Sequence, residues 1–320
     1  MIRLNVGRMG MAAWALAAVL ITGCGSSSSP TTSKKAAKAA TQHATSPTST
    51  GSSPTSTAAT SEIASIAAEV PASVKAKGTY VVAADATYAP NEFIASDGHT
   101  VVGMDADLAK ALGGVMGLKI SVVNATFDSI IPGIQAGKYD MGASSFTDTL
   151  ARQKVVDFVT YFSAGTSFYT KAQGGTSVSA LASLCGHTAA VEAGTTEQSD
   201  ATGQSHKCKA AGKPAVTVLV YQNQNEVNLA VQSGRAQIGM ADSPVAAYAV
   251  KQSNGLLKLV GQPYGTAPYG LALPKGNGMA KPVLAALKAV MADGTYTKIL
   301  ANWGIQAGAI TDPTINGATS

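Results

Sequence analysis

The chain has 320 residues, 46% of them hydrophobic, with 23 Lys and Arg against 18 Asp and Glu and a formal net charge of +5. Seven of the basic residues and two of the acidic ones precede Gly78, which leaves sixteen of each sign in the remainder. The sequence pI near 9.0 therefore describes the N-terminal segment, and the neutral remainder carries no basic patch of the kind that binds nucleic acid.

In chain order, the first signal is an address. Arg3 and Arg8 precede MGMAAWALAAVLIT, an uncharged apolar run shorter than the ~20 residues a spanning helix needs. It fits the apolar region of an export signal over residues 1–23. The run ends in Ile21-Thr22-Gly23-Cys24, which resembles a bacterial lipobox, in which the Cys is lipidated and becomes the first residue. Residues 24–77 are Ser, Thr, Ala and Pro with little that is large and apolar. Such a segment cannot bury enough surface to order itself, so a flexible tether is expected, with at most a marginal helical turn over Glu62–Val70.

From Gly78 the pattern alternates β-like runs with amphipathic stretches. TYVVAAD reads as a strand, Gly103 to Met116 as a helix, LKISVV as a strand, FDSIIPGIQAG as a helix and YDMGAS as a short strand. The second half repeats the order: the strand HTAAVEAG, a helix from Thr195, the strand VTVLVYQ, the helix EVNLAVQSG, the strand AQIGMAD and the helix SPVAAYAVKQ. Alternation of this kind argues α/β units with crossover helices. Two extended stretches, around TSFYTKA and along GQPYGTAPYGLALP, can carry the chain between two lobes. The expected boundaries are residues 78–168 and 263–310 for lobe 1, 169–262 for lobe 2 and 311–320 for a tail. The stretch KPVLAALKAVMADGTYTKILANWG is read as helical and packs back on lobe 1.

With Cys24 lipidated, Cys185 and Cys208 remain as an even pair in an oxidising compartment, which favours a disulfide. It closes a loop of about 24 residues and contributes roughly 3–4 kcal/mol in the chain-entropy model. A metal site with His187 and His206 is the alternative, but the spacings C-x-H and H-x-C fit no common zinc pattern.

Ligands of open α/β sheets bind beyond the carboxyl ends of strands, and the residues there form a recognisable set. AADATYAPNEF, GHTVVGMDADLAKAL and FDSIIPGIQAGKYDMGASSFTDTLARQKVVDF, with the later GTT turn, ADSPVA and DGTY…W, resemble family-3 solute-binding proteins, the amino-acid receptors of ABC importers. The resemblance implies a two-lobed, hinged α/β fold of the type II periplasmic-binding-protein class, closing on a free amino acid. It assigns the ligand's carboxylate to Arg152, whose fork suits bidentate pairing, with Ser145 and Thr147 as added donors. Thr196 follows a strand and opens a helix, where free N–H groups attract anions; its other reading is a helix cap. Asp242 is assigned the α-ammonium, its other reading being a cap ahead of Pro244. Asp85 and Tyr88 match positions that touch the ligand's side chain, and Glu192 either joins them or faces solvent. Asn91 replaces an aromatic that the pattern usually carries.

Two acids near a side chain favour Arg, Lys or an amide such as Gln. The expectation is an exported binding protein, monomeric, anchored by lipid on Cys24 to the outer side of the cell membrane and serving an importer's permease. It calls for no cofactor and no metal. A sensory lipoprotein is the alternative, and a dehydratase-type enzyme on the same fold a more distant one. The histidines of the folded part, His99, His187 and His206, fall on no ligand motif, and no nucleophile–base pair is apparent.

Overall fold

The computed structural model describes residues 61–318; the export signal, Cys24 and most of the expected tether lie outside them. Residues 61–77, read from sequence as the tether's end, are folded as α1 (Ala64–Glu69) and α2 (Ala72–Lys75). Ile66, Val70 and Val74 recur every fourth residue and pack against the first core. That stripe is short, but it meets an existing apolar surface, which removes the objection that an isolated helix of this length is marginal.

The rest is an α/β fold built on one eight-stranded sheet. In chain order the elements are β1 (Tyr80–Ala84), the small antiparallel strands β2 (Thr87–Tyr88), β3 (Glu92–Ile94) and β4 (Val101–Val102), α3 (Met104–Val115), β5 (Ile120–Asn124), α4 (Phe127–Gln135), β6 (Met141–Gly142) and α5 (Leu150–Gln153). The long strand β7 (Val156–Lys171) leads to β8 (Thr188–Glu192), α6 (Thr196–Ala210), β9 (Thr217–Tyr221), α7 (Gln224–Ser233), β10 (Ile238–Asp242) and α8 (Ser243–Gln252). A second long strand, β11 (Leu257–Pro274), returns the chain to α9 (Ala280–Ala292) and α10 (Thr295–Trp303). The last two divide the single helical stretch expected from sequence: Gly294, at φ 81°, ends one helix and starts the next.

The strand order is β5-β1-β6-β11-β7-β10-β8-β9. Within each outer triplet the strands are parallel, and each triplet runs middle, outer, inner in sequence. The two halves thus share one topology. Between them β7 and β11 pair antiparallel along most of their length, with register shifts between Val260 and Tyr264, Tyr264 and Ala267, and Tyr269 and Gly270. The extended stretches read from sequence as links between lobes lie along these two strands.

Each lobe has its own core. On one side Leu108, Leu112, Leu271, Val283 and Leu287 meet under α3 and α9, while Ile130, Ile134 and Phe146 form a second cluster under α4. On the other side Val227, Val231, Ala241 and Val245 pack under α7 and α8, and Leu184, Val191, Ala201 and Met240 under α6. Cys185 and Cys208 are joined by a disulfide, Cα–Cα 5.6 Å, so neither thiol is free for the metal alternative. Among the described residues no group of three or more His, Cys, Asp and Glu is placed to hold a metal ion, and no helix is long and apolar enough to cross a membrane.

Candidate functional site

The carboxyl ends of both parallel triplets meet at one narrow pocket. All eight residues singled out for ligand contact line it: Asp85, Tyr88, Ser145, Thr147, Arg152, Glu192, Thr196 and Asp242. Thr195 of the GTT turn lines it as well, as do Phe127 and Glu197, which carry no sequence signal of a ligand contact.

Arg152 is placed by a short cap. The Thr149 hydroxyl accepts the Arg152 N–H (3.2 Å) and starts α5, which turns the guanidinium toward the pocket. Its Nη1 donates to the Thr147 carbonyl (2.8 Å) and its Nη2 to the Gly194 carbonyl across the cleft (3.0 Å). The rings of Phe127 and Phe146 flank it, 5.3 and 5.4 Å from the guanidinium carbon, and stack on each other at 4.4 Å. Two aromatic faces and two carbonyls fix the fork, leaving further N–H donors for an anion.

The opposing wall starts from α6. Thr195, rather than Thr196, is the helix cap: its hydroxyl accepts the Gln198 N–H (3.1 Å) and donates to the Glu192 carbonyl (2.7 Å). Thr196 is therefore the first helical residue, where backbone N–H groups have no partner inside the helix. Gly194, at φ 77°, makes the approach close, since a Cβ there would meet Asp128 Cβ at 3.0 Å. The Thr196 hydroxyl and the Thr166 hydroxyl both donate to Glu197, at 3.1 and 2.7 Å.

Asp242 opens α8, yet its side chain does not cap the helix. It is held instead from the other lobe: the Tyr88 hydroxyl accepts the Asp242 N–H (2.9 Å) and donates to Asp242 Oδ2 (3.0 Å). Tyr88 itself is buried in the second lobe's core beside Tyr169 and Val245. A second crossing contact runs from the Gln224 N–H to the Thr87 hydroxyl (3.1 Å), which in turn donates to Asp85 Oδ1 (2.6 Å). The Phe127 N–H, at the start of α4, donates to Asp85 Oδ2 (2.8 Å).

Beneath the pocket Glu92 and Asp105 form a fully buried acid pair without a basic partner. Ser144 donates to Glu92 Oε1 (2.9 Å), Tyr161 to Asp105 Oδ1 (2.5 Å) and the Ser145 N–H to Asp105 Oδ2 (2.6 Å). Asn91 Nδ2 donates to the Ser145 hydroxyl (2.8 Å), which is why a polar residue serves where an aromatic is usual. Ser145 takes a left-handed conformation, φ 50°. Its hydroxyl and N–H are directed into this network, so the group it has left for a ligand is its carbonyl.

Four carboxyls line the pocket against one guanidinium. Burial pushes Glu192 well above its ordinary value, and the neighbouring charge of Asp85 adds to this. Asp242 is likewise raised by burial and by Glu197, an effect opposed by the nearby Tyr269 hydroxyl, by the hydrogen bond from Tyr88 and by Arg152. Asp85 is raised by burial, offset by its hydrogen bonds from Thr87 and the Phe127 N–H. Glu192 is 2% exposed, and its Oε1 has no hydrogen-bond partner. Asp85 faces it, and the proton that burial keeps on Glu192 is the one donor this pair of acids can share. The solvent-facing reading of Glu192 is thereby excluded.

A family model described as bacterial extracellular solute-binding proteins, family 3, matches residues 80–306. The arginine-binding protein ArgT of Corynebacterium glutamicum is 36% identical over 252 residues, 78% of this chain and 82% of the relative. The solved structure of an ancestral arginine-binding protein bound to arginine is also 36% identical, with a TM-score of 0.65 over 71% of this chain and 98% of that one. The ancestral amino acid-binding protein AncCDT-1, a precursor of cyclohexadienyl dehydratase, is 34% identical with a TM-score of 0.62, covering 72% and 97% of the two chains.

Proposed function

Because the chain belongs to the bacterial extracellular solute-binding proteins of family 3, we propose that it captures a free basic amino acid, L-arginine, between its lobes and delivers it to the permease of an ABC importer. The single observation that carries the choice of ligand is Glu192, buried with an unpartnered oxygen among three other pocket acids. A guanidinium supplies donors and positive charge to these carboxyls; an acidic side chain would add a fifth carboxyl to the same desolvated space. The name of the C. glutamicum relative supports the same ligand.

In this reading Arg152 and the first N–H groups of α6 hold the carboxylate from both lobes. Asp242 and the Ser145 carbonyl take the α-ammonium. Asp85 and Glu192 read the side chain, with Tyr88 as a wall. Lipid on Cys24 keeps the folded part at the outer face of the membrane, within reach of the permease.

Calorimetry against the twenty amino acids tests this. L-arginine binds tightest, followed by other cationic or amide side chains. Arg152→Ala and Asp242→Ala each leave one charge of the zwitterion buried and unpaired, at a cost of about 2–5 kcal/mol, or roughly 30-fold to several thousand-fold in affinity. Arg152→Lys also weakens binding, since a point-like ammonium cannot reproduce the fork. Binding within about threefold of wild type in both alanine variants, ~0.65 kcal/mol, overturns the amino-acid assignment. Tight binding of L-glutamate with none of L-arginine overturns the ligand.

A further inference from the structure

The chain continues past residue 306, where the match to the family ends, and its last described residues are pinned to the sheet. Ile315 forms an isolated antiparallel bridge with Val159 of β7. The Thr160 N–H donates to the Thr314 carbonyl (2.9 Å) and the Thr314 N–H to the Thr160 hydroxyl (2.8 Å). The Asn316 N–H donates to the Phe158 carbonyl (2.9 Å), and Asn316 Oδ1 accepts the Phe158 N–H (2.8 Å). Asn316 Nδ2 donates to Asp157 Oδ1 (3.1 Å). On the first lobe's side, the segment occupies the edge of β7 that β10 occupies on the second lobe's side.

The segment then leaves the strand. Asn316 adopts a left-handed conformation, φ 53°, which Asn tolerates better than most residues, and two residues later the Ala318 N–H donates to Asp148 Oδ2 (3.1 Å). Asp148 is buried, 2% exposed, and stands at the base of the turn that carries Arg152. Its N–H donates to the Pro268 carbonyl of β11 (2.8 Å), and its Oδ1 accepts from Gln153 Nε2 (2.7 Å), next to Arg152 on α5. It directly follows Thr147, whose carbonyl holds the Arg152 guanidinium.

We propose that residues 314–318 are a positioning strap which, through the Ala318 N–H and Asp148, fixes the 147–153 turn so that Arg152 meets the ligand's carboxylate without reorganisation. A strap that served only to cover a sheet edge would end at Asn316; this one bends off the edge and reaches the turn. The proposal rests on the reading of Arg152 as the carboxylate's partner, and its consequence is selective: it concerns the carboxylate end of the ligand and leaves the side-chain end alone.

Ala318→Pro removes that one donor, since proline has no N–H, while Ala318→Gly keeps it. Hydrogen exchange in the ligand-free protein reads the turn directly: amides of residues 147–153 exchange faster in Ala318→Pro than in Ala318→Gly and wild type. Loss of one such hydrogen bond weakens L-arginine binding about three- to tenfold, and leaves L-argininamide, which lacks the carboxylate, unchanged. Unaltered exchange in the turn overturns the strap. So does an equal loss for both probes, which marks a general loosening of the lobe. If wild-type protein does not bind L-arginine, the functional reading fails, and the exchange data still decide whether the strap holds the turn.

Discussion

Glu192 ends β8 with Asp85 facing it and Glu197 and Asp128 close enough to repel its charge. Burial and these neighbours keep a proton on it above the usual 4.5. A guanidinium placed against it favours the ionised form, so in the proposed function binding of L-arginine releases protons. Affinity accordingly rises with pH from the ordinary carboxylate range upward and levels off above the raised value. Calorimetry in two buffers of different ionisation heat counts the protons released, and Glu192→Gln releases fewer. An equal count in wild type and variant assigns the linkage to other groups. The eight residues brought together in the pocket were legible in sequence because each lies at the end of a strand or within ten residues after it, in stretches that resemble the family's motifs. Phe127 and Glu197 were not. Phe127 opens the apolar helical stretch of α4 with nothing to set it apart, and its stacking beside Arg152 depends on a contact with a residue 25 positions away. Glu197 lies in a polar helix with no apolar periodicity to set it apart, and its burial depends on Thr166 from β7.

At the scale of elements, alternation of strands and helices was readable because buried parallel strands are nearly continuous apolar runs. The hairpin strands β2, β3 and β4 have two or three residues each, too few for any period to register. The folding of residues 61–77 escaped for a different reason: it depends on the surface of α9 and its neighbours, which a local window does not contain. The disulfide was legible from count and compartment, and it has a measurable weight. It ties the end of α6 to the strand side of lobe 2 across a sequence separation of 23. Cys185→Ser with Cys208→Ser lowers unfolding free energy by about 3 kcal/mol, read from denaturant melts. Ligand affinity is preserved below the transition, because neither sulfur lies in the pocket. A loss under about 0.5 kcal/mol, the scatter of ordinary surface changes, makes the bridge incidental.

For the molecule as a whole, the contacts that join the lobes are few and specific: Tyr88 with Asp242, Thr87 with Gln224 and Arg152 with the Gly194 carbonyl. Several of their members also line the pocket, so ligand and closure draw on the same groups, and a ligand can shift the balance only by what it adds on closing. Solution scattering shows a smaller radius of gyration with saturating L-arginine than without it. An unchanged profile overturns ligand-driven closure while leaving binding intact. The ribbon of β7 and β11 sets the other side of that balance. The pair is held by β6 and residues 314–316 in one lobe and by β10 in the other, and two of its three irregularities fall where Gly261 and Gly265 adopt left-handed backbone, φ 70° and 63°. If the lobes close on a ligand as proposed, the ribbon acts as a torsion spring in series with it. Residues that never approach the amino acid thereby adjust how tightly it is held, and a stiffer or differently bent ribbon retunes the receptor's working concentration while its preference among ligands stays the same.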